Sequence, residues 1–303
     1  MARTITAGRA RGRGATAFGS QSGLQLLSRG LFYLLVGIIL LYTMLPFYWA
    51  IRSSFTPDSE LFRTPVSYWP SNPTLEHYRR VLSSNLFQRA LLNSTIVSLT
   101  VTLGSLVIGA LASYALGRFQ FRGRTPVLYL VLSMTMFPQI AVLGALFSMV
   151  RRFGLYNRLG ALILTYFIFT LPFTVWVLTS FFRGMPGALE EAAYVDGATP
   201  FQTFYKVLLP LAAPGMVTTG LLAFIAAWNE FLFALSFTQD PNRRTVNYAI
   251  FSFTGEVAAG GRTQAPWGQI MAATVVVTIP IVVLVLIFQR RILAGLTAGA
   301  VKG

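Results

Sequence analysis

The sequence predicts an all-α integral membrane protein, and three observations support this prediction. Hydrophobic residues make up 54% of the 303-residue chain and charged residues only 11%, whereas soluble domains carry about 25% charged residues. Six stretches are uncharged or nearly so. Each is long enough to cross a bilayer, which takes about 20 apolar residues. Helices are expected in them because a helix satisfies its own backbone polar groups in lipid.

The six predicted spans cover most of the chain. Five contain no charged residue, and the fifth in order contains one acid, Glu230. They are placed at about 30–51, 91–117, 125–149, 159–182, 209–236 and 267–289. We assign them to one transmembrane domain over residues 28–303.

Residues 1–27 form a separate N-terminal segment in this prediction. It is rich in Gly, Ala, Ser and Arg and contains no acid, which predicts disorder. Its arginines predict a cytoplasmic location, and six spans return the C-terminus to the same side. The remaining basic residues favour this orientation only weakly, since Arg151, Arg152 and Arg158 lie in a predicted outside loop.

Composition also excludes several kinds of site. The chain has no cysteine and one histidine, His77, so disulfides, zinc sites and His-based nucleophilic catalysis lack the residues they need. No metal site is predicted. The net charge of +15 is a footprint of nucleic-acid binding in some proteins. Here the basic residues flank apolar stretches, as membrane proteins place them, so no nucleic acid is expected.

The segment between the fourth and fifth spans carries the most specific pattern. Pro186 suits the first position of a helix. Glu190 and Glu191 favour the positive, N-terminal end of that helix. Ala192 and Ala193 are strong helix formers with small side chains. A short helix is therefore expected from Pro186 onward.

A sharp turn and a second helix are predicted directly after it. Gly197 can take the left-handed conformation that ends a helix. Thr199 is placed to cap the next helix, with Pro200 at its first position and Gln202 completing a capping box. This second helix is expected to run on into the fifth span.

The spacing within residues 186–210 resembles a known family motif. The pattern is Glu191-Ala192-Ala193, three residues, Gly197, nine residues, then Val207-x-Leu209-Pro210. It resembles the EAA loop of the permease subunits of ATP-binding-cassette (ABC) importers, which usually have Ile where Val207 stands. Motifs of this kind need structural context to confirm them. We call residues 186–210 the EAA loop.

Four further segments look like the carbohydrate importers, and most like the MalG-type permease of the maltose system. The likeness covers roughly residues 28–303. The segments are Ala90-Leu-Leu-Asn-Ser94, Tyr114-Ala-Leu-Gly-Arg-Phe119, Trp228-Asn-Glu-Phe231 and residues 295–303.

The resemblance implies that the EAA loop couples the membrane spans to an ATPase. In the family the loop forms a helix that sits in a cleft of an ATPase subunit. By resemblance, Glu191 and also Glu190 would pair with basic groups there, while Ala192 and Ala193 would allow close approach and Gly197 would make the turn. Asp196 and Pro210 complete this predicted set. Closure of the two ATPases would then switch a cavity between the membrane spans from inward-facing to outward-facing.

The resemblance also implies partners. The sequence contains no Gly-x4-Gly-Lys-Ser/Thr phosphate loop, so no ATPase site and no enzyme activity are expected in this chain. ATP and Mg²⁺ would be bound by two partner ATPase subunits. A second, MalF-type permease, an extracytoplasmic solute-binding protein and membrane lipid complete the expected assembly. The outside segment 237–266 would face the binding protein. The assembly would lie in a bacterial or archaeal cytoplasmic membrane.

Four polar residues in or near the spans are candidates for the translocation pathway. Glu230 is the main one because an ionisable residue inside a membrane is a functional candidate by default. The others are its neighbour Asn229, and Asn93 and Gln139 in earlier spans. A structural hydrogen bond to a neighbouring helix explains Glu230 equally well at this stage.

Sugar import has three alternatives. A permease of the same superfamily for a glycerol phosphodiester or a peptide would carry the same EAA loop. A stand-alone secondary transporter would usually have an inverted repeat and several ionisable groups within its spans, and neither is visible. A membrane-embedded enzyme would need convergent catalytic groups that the chain does not offer. The residues around Trp228 and the C-terminal tail favour a maltose- or trehalose-like di- or oligosaccharide.

Overall fold

A computed structural model of the chain describes residues 18–259 and 265–298. All regular elements in these ranges are helices and none is a strand, which confirms the predicted fold class. The longer helices are α1 (Phe18–Ser54), α3 (Asn85–Arg118), α4 (Arg124–Thr135), α5 (Gln139–Arg152), α6 (Leu159–Gly184), α10 (Ala213–Asn229), α12 (Val246–Ala259) and α13 (Trp267–Ala298). The shorter ones are α2 (Glu76–Ser83), α7 (Ala188–Val195), α8 (Pro200–Thr203), α9 (Leu209–Leu211) and α11 (Leu232–Phe237).

The helices fit four spans, or six if each of two bent helix pairs is counted as one span. In the described part of the chain, α1, α3, α6 and α13 are each long and apolar enough to cross a membrane. The pair α4 and α5 meets at 98°, and the stretch 200–211 meets α10 at 75°. Counted as one span each, the two bent pairs bring the number to the predicted six. The first bend lies at 136–138, where Pro138 precedes α5, and proline disfavours helix in the residue before it.

The chain divides into two compact units, Met1–Ile51 and Arg52–Gly303. In the first unit, α1 begins at Phe18, so residues 18–27 are helical where the sequence predicts disorder. Residues 1–17 of that prediction lie outside the described ranges. From Leu31 to Leu45, α1 carries apolar side chains around its whole circumference, which is typical of a helix surrounded by lipid or other membrane helices.

The second unit is built around α3. This helix packs along α6 and α10, while α13 and α6 also pack against α10. One apolar cluster lies where α3, α5, α6 and α11 meet, around Val97, Val150, Leu162 and Phe233. A second joins α2, α3, α10, α12 and α13 around Phe87, Trp228 and Val246.

Small and hydroxyl residues let α3 and α6 approach closely. A Cβ added at Gly109 would lie 2.5 Å from the Thr174 methyl group. The hydroxyls of Ser105 and Thr170 lie 2.8 Å apart, and the Ser113 hydroxyl donates to the Val175 carbonyl at 2.9 Å. Apolar burial gives little drive between helices in lipid, so contacts of this kind hold membrane helices together.

The segment 237–266, which the sequence predicts to lie outside, is partly helical. Residues Pro241–Arg243 form a 3-10 turn, and α12 occupies much of the rest. The sequence predicts a glycine-rich loop here. Two of its glycines, Gly260 and Gly261, lie outside the described residues.

Replacing Gly109 by alanine is expected to destabilise the protein by about 1–3 kcal/mol, the usual cost of overpacking. Thr174 cannot rotate away cheaply, because its hydroxyl donates to the Thr170 carbonyl at 2.8 Å. The measurement is the thermal midpoint in detergent. Gly144→Ala is the matched control, since nothing lies within 4 Å of a Cβ there. Equal midpoints for Gly109→Ala and the parent protein would contradict the close packing of α3 and α6.

Candidate functional site

The EAA loop begins with the short helix α7. The helix starts at Ala188, two residues later than the sequence predicts, and Pro186 instead forms the turn before it. There the Leu189 amide donates to the Pro186 carbonyl at 3.3 Å. Glu190 and Glu191 lie in the first turn of α7, as predicted. Their charges there interact favourably with the helix dipole.

Gly197 makes the turn that ends α7. Its φ of +78° is left-handed, and the Gly197 amide donates to the Tyr194 carbonyl at 3.0 Å. The next amide, of Ala198, donates to the Ala193 carbonyl at 2.9 Å. These bonds close a glycine-ended helix in the predicted way. No atom lies within 4 Å of a Cβ added at Gly197, so the backbone conformation, and not lack of space, requires glycine.

The second half of the loop opens with the predicted capping box. The Thr199 hydroxyl accepts from the Gln202 amide at 3.3 Å, and the Gln202 side-chain oxygen accepts from the Thr199 amide at 2.9 Å. Pro200 occupies the first position of α8. The box satisfies two backbone donors that the helix itself leaves unpaired.

The helix then widens before it reaches the membrane. Residues Phe204–Leu208 form a π-helical turn, followed by α9, which contains Pro210. Pro210 has no amide hydrogen, so the carbonyl four residues earlier loses its partner. Wide turns and prolines are the common causes of helix bends, and the chain bends by 75° as it enters α10. The continuous helix predicted here is therefore interrupted.

A cleft of about 580 Å³ lies between the two halves of the loop. Ala192 is exposed, whereas Ala193 is buried within the chain. The two alanines therefore differ: Ala192 is open to a partner, and Ala193 allows α7 to pack on its own chain. The cleft is lined by Pro186, Ala188, Leu189, Ala192, Ala193, Asp196, Gly197, Ala198, Gln202, Lys206 and Val207.

Two exposed apolar residues of the loop were missed by the sequence analysis. Val195 is 88% exposed and Phe201 is 64% exposed, although both belong to a short, well-folded connector. Exposed apolar groups of this kind mark contact surfaces when they cluster. The sequence signal that could have identified Val195 and Phe201 is an apolar side chain next to the polar residues that end or begin a helix. The exposed Glu191 carboxylate lies on the same short helix as Val195.

Glu190 is held by Arg118, which lies in the family-resembling segment Tyr114–Phe119 but has no role predicted from the sequence. The Arg118 Nε donates to a Glu190 carboxylate oxygen at 2.9 Å. The side chains of Arg118 and Glu190 are only 10% and 16% exposed. Of the two acids at the start of α7, Glu191 is therefore the exposed one.

The pathway candidates do not converge on one point. Asn93 is buried near the start of α3, where its amide donates to the carbonyls of Asn242 and Arg244 at 2.9 and 3.0 Å. It thereby ties the 3-10 turn and the residue after it to α3. Gln139 is exposed at the first position of α5, directly after the bend of the third span.

Glu230 directly follows α10, and its carboxylate caps the start of α11. Its two carboxylate oxygens accept from the backbone amides of Phe233 at 2.7 Å and Ala234 at 3.2 Å. These are N-terminal amides of α11, which have no partner inside the helix. The geometry favours the structural alternative for Glu230, because its carboxylate caps α11 at the end of α10.

Asn229 lies beside a cavity of about 340 Å³ between α10, α12 and α13. Its neighbour in the cavity wall, Asn247, uses its amide nitrogen to donate to the Trp228 carbonyl at 2.8 Å, which leaves its side-chain oxygen available. The remaining lining residues are Phe231, Ile250, Thr274, Val277, Thr278 and Ile281. A mostly apolar cavity with a few convergent polar groups is the usual form of a small-molecule site.

Comparison with known families identifies the chain's relatives. A family model described as "Binding-protein-dependent transport system inner membrane component" matches residues 105–297. This range contains the whole EAA loop, Arg118 and Glu230.

Individual relatives agree with the family. The chain is 45% identical to the trehalose transport system permease protein SugB of Mycobacterium tuberculosis, over 86% of this chain and 93% of that protein. It is 43% identical to the trehalose/maltose transport system permease protein MalG of Thermococcus litoralis, over 89% of this chain and 96% of that protein. Its fold matches one chain of a bacterial ABC transporter that imports alginate, with a TM-score of 0.74 and 21% identity, over 92% and 99% of the two chains.

Substitutions at Gly197 are expected to follow backbone preference. Valine should destabilise the turn most, since a left-handed conformation costs an ordinary residue about 1–2 kcal/mol, whereas asparagine tolerates it. Thermal midpoints of Gly197→Val, Gly197→Asn and the parent protein in detergent provide the measurement. Gly187→Ala is the control, because Gly187 has a right-handed φ of −63°. Equal destabilisation by valine and asparagine would show that size, and not φ, decides.

Removing the Glu230 carboxylate is expected to destabilise the protein, because the start of α11 loses its cap. Glu230→Ala should cost about 0.5–2 kcal/mol, as the loss of a helix cap does, while Glu230→Gln keeps one acceptor oxygen and should cost less. Thermal midpoints again report the effect, with Asn229→Ala as the neighbouring control. An unchanged midpoint in Glu230→Ala would return Glu230 to the pathway candidates.

Proposed function

The chain belongs to the family of binding-protein-dependent transport system inner membrane components, and from that premise we propose that it helps to import a di- or oligosaccharide of the trehalose and maltose class. It is a multi-pass protein of the inner membrane and a permease component of an ABC transporter. The relatives described above are named for trehalose and maltose transport. The alternatives of the same superfamily, a glycerol phosphodiester or a peptide, are outcomes of the test below.

The observation that carries the proposal is the geometry of the EAA loop. The loop folds into two short helices joined at Gly197, braced by its own capping box and by Arg118. A connector that only links two spans can do so without being rigid, even though its helices also carry caps. A loop that transmits movement must be rigid, because a flexible loop would absorb the displacement of its partner.

In this proposal the partner is an ATPase subunit on the cytoplasmic side. Glu191, Ala192, Val195 and Phe201 would meet it, since a carboxylate and apolar side chains are exposed together on the loop. ATP and Mg²⁺ would be bound by a pair of such ATPases and not by this chain. The predicted orientation, with both termini in the cytoplasm, would place the EAA loop on that side.

The cavity beside Asn229 supports a sugar as cargo. Amide and hydroxyl groups offer both donors and acceptors to a polyhydroxyl solute, and an aromatic face such as that of Phe231 suits the C–H face of a sugar ring. The Phe231 ring packs edge-on against Phe251 with 5.3 Å between centroids, which holds it in place. A second permease would supply the other half of the pathway, and a solute-binding protein would deliver the sugar.

Reconstitution tests the proposal. The chain is purified with its companions from its own host in mild detergent and placed in proteoliposomes with ATP inside. Uptake of labelled trehalose and maltose is then compared with uptake of a glycerol phosphodiester and a dipeptide. ATP- and binding-protein-dependent sugar uptake is expected, and Asn229→Ala should lower it at unchanged stability. Uptake of the other solutes alone would overturn the sugar assignment, and uptake without ATPases would overturn the coupling.

A further inference from the structure

We propose that Arg118 is a positioning residue that ties the EAA loop to two membrane helices at once, so that movement of the loop is passed to α3 and α6 together. The inference rests on the proposed function, in which an ATPase moves the loop. It assigns a role to a residue of the Tyr114–Phe119 segment, which resembles the carbohydrate importers but has no role predicted from the sequence.

The Arg118 guanidinium uses all three of its nitrogens. Nε and Nη2 both donate to the same carboxylate oxygen of Glu190. Nη1 donates to the backbone carbonyls of Phe182 at 3.2 Å and Met185 at 2.8 Å. Arg118 is the last residue of α3, Phe182 and Met185 lie at the end of α6, and Glu190 lies in the first turn of α7. One side chain therefore joins three helices.

These bonds satisfy polar groups at the end of α6. The last carbonyls of a helix have no amide partner one turn further on; here the Phe182 carbonyl accepts from the Met185 amide at 3.4 Å as well as from Arg118. The partial negative charge of these carbonyls favours a cation. A guanidinium presents several donors in a fixed plane, which a lysine ammonium does not. Because both side chains are largely buried, the ion pair is poorly screened, and removal of one partner leaves a charge uncompensated.

A second residue of the same turn contacts the other half of the loop. Tyr114 lies four residues before Arg118, so the two side chains share a face of α3. Its hydroxyl donates to the Pro200 carbonyl at 3.3 Å, and its ring lies 4.9 Å from the Phe204 ring, between centroids. The last turn of α3 thus holds α7 through Arg118 and α8 through Tyr114.

The helices that receive the movement are tightly packed at this level. A Cβ added at Gly117 would lie 2.9 Å from the Phe182 Cβ, so the backbones of α3 and α6 are close beside Arg118. Packed helices move as units because interiors resist gradual deformation. A displacement of α7 would then shift both helices rather than bend one of them.

The test compares transport with hydrolysis in the reconstituted complex. Sugar molecules taken up per ATP hydrolysed are measured for Arg118→Met, Arg118→Lys and Glu190→Gln. We expect a drop of at least tenfold for Arg118→Met and smaller drops for the other two, since each keeps part of the bonding. Arg122→Met is the matched control, because Arg122 is exposed and lies four residues after Arg118, beyond the end of α3. It should retain the parent ratio.

The outcomes separate this inference from the proposed function. If the parent complex transports no sugar, the proposed function fails. If it transports sugar and all three junction variants keep the parent ratio, the role of Arg118 is overturned. If Arg118→Met no longer assembles with the ATPases, the ratio in Glu190→Gln and Arg118→Lys decides: a drop with intact assembly supports the inference, and an unchanged ratio overturns it.

Discussion

The structure depends on one constraint, that backbone polar groups in a membrane must find partners within the protein. Long helices meet it without help, and α1, α3, α6 and α13 run unbroken for this reason. Where the chain breaks, side chains fill the gap. The Glu230 carboxylate accepts hydrogen bonds from the first amides of α11. The Arg118 guanidinium donates to carbonyls at the end of α6.

The same constraint explains why α3 is the centre of the second unit. At one end Asn93 donates to the carbonyls of Asn242 and Arg244. At the other end Arg118 donates to two carbonyls of another segment. Between these ends, small residues bring α3 against α6. A helix held at both ends by side-chain bonds to backbone acts as a rigid rod that links the two ends of the unit.

The irregular positions divide the spans into shorter helical segments. The bends at 136–138 and near Ala212, the π turn before Pro210 and the break at Glu230 interrupt otherwise regular spans. Each is confined to a few residues, with helix on both sides. Such an arrangement allows rigid segments to pivot while their own hydrogen bonds stay intact. The cavity beside Asn229 lies at one of these positions, next to the break after α10.

The sequence by itself determined the helical class and most of the local structure of the EAA loop, and it predicted six spans, which the helices fit when each bent pair counts as one. Charge-free stretches and local rules, such as the Gly197 turn and the Thr199 capping box, depend on residues that are near each other in the chain. It did not determine the bends, or that Glu190 faces Arg118, 72 positions away. Nor did it decide between a pathway role and a capping role for Glu230. Those depend on which helices lie side by side, because a polar side chain in lipid bonds to whatever backbone the packing brings within reach.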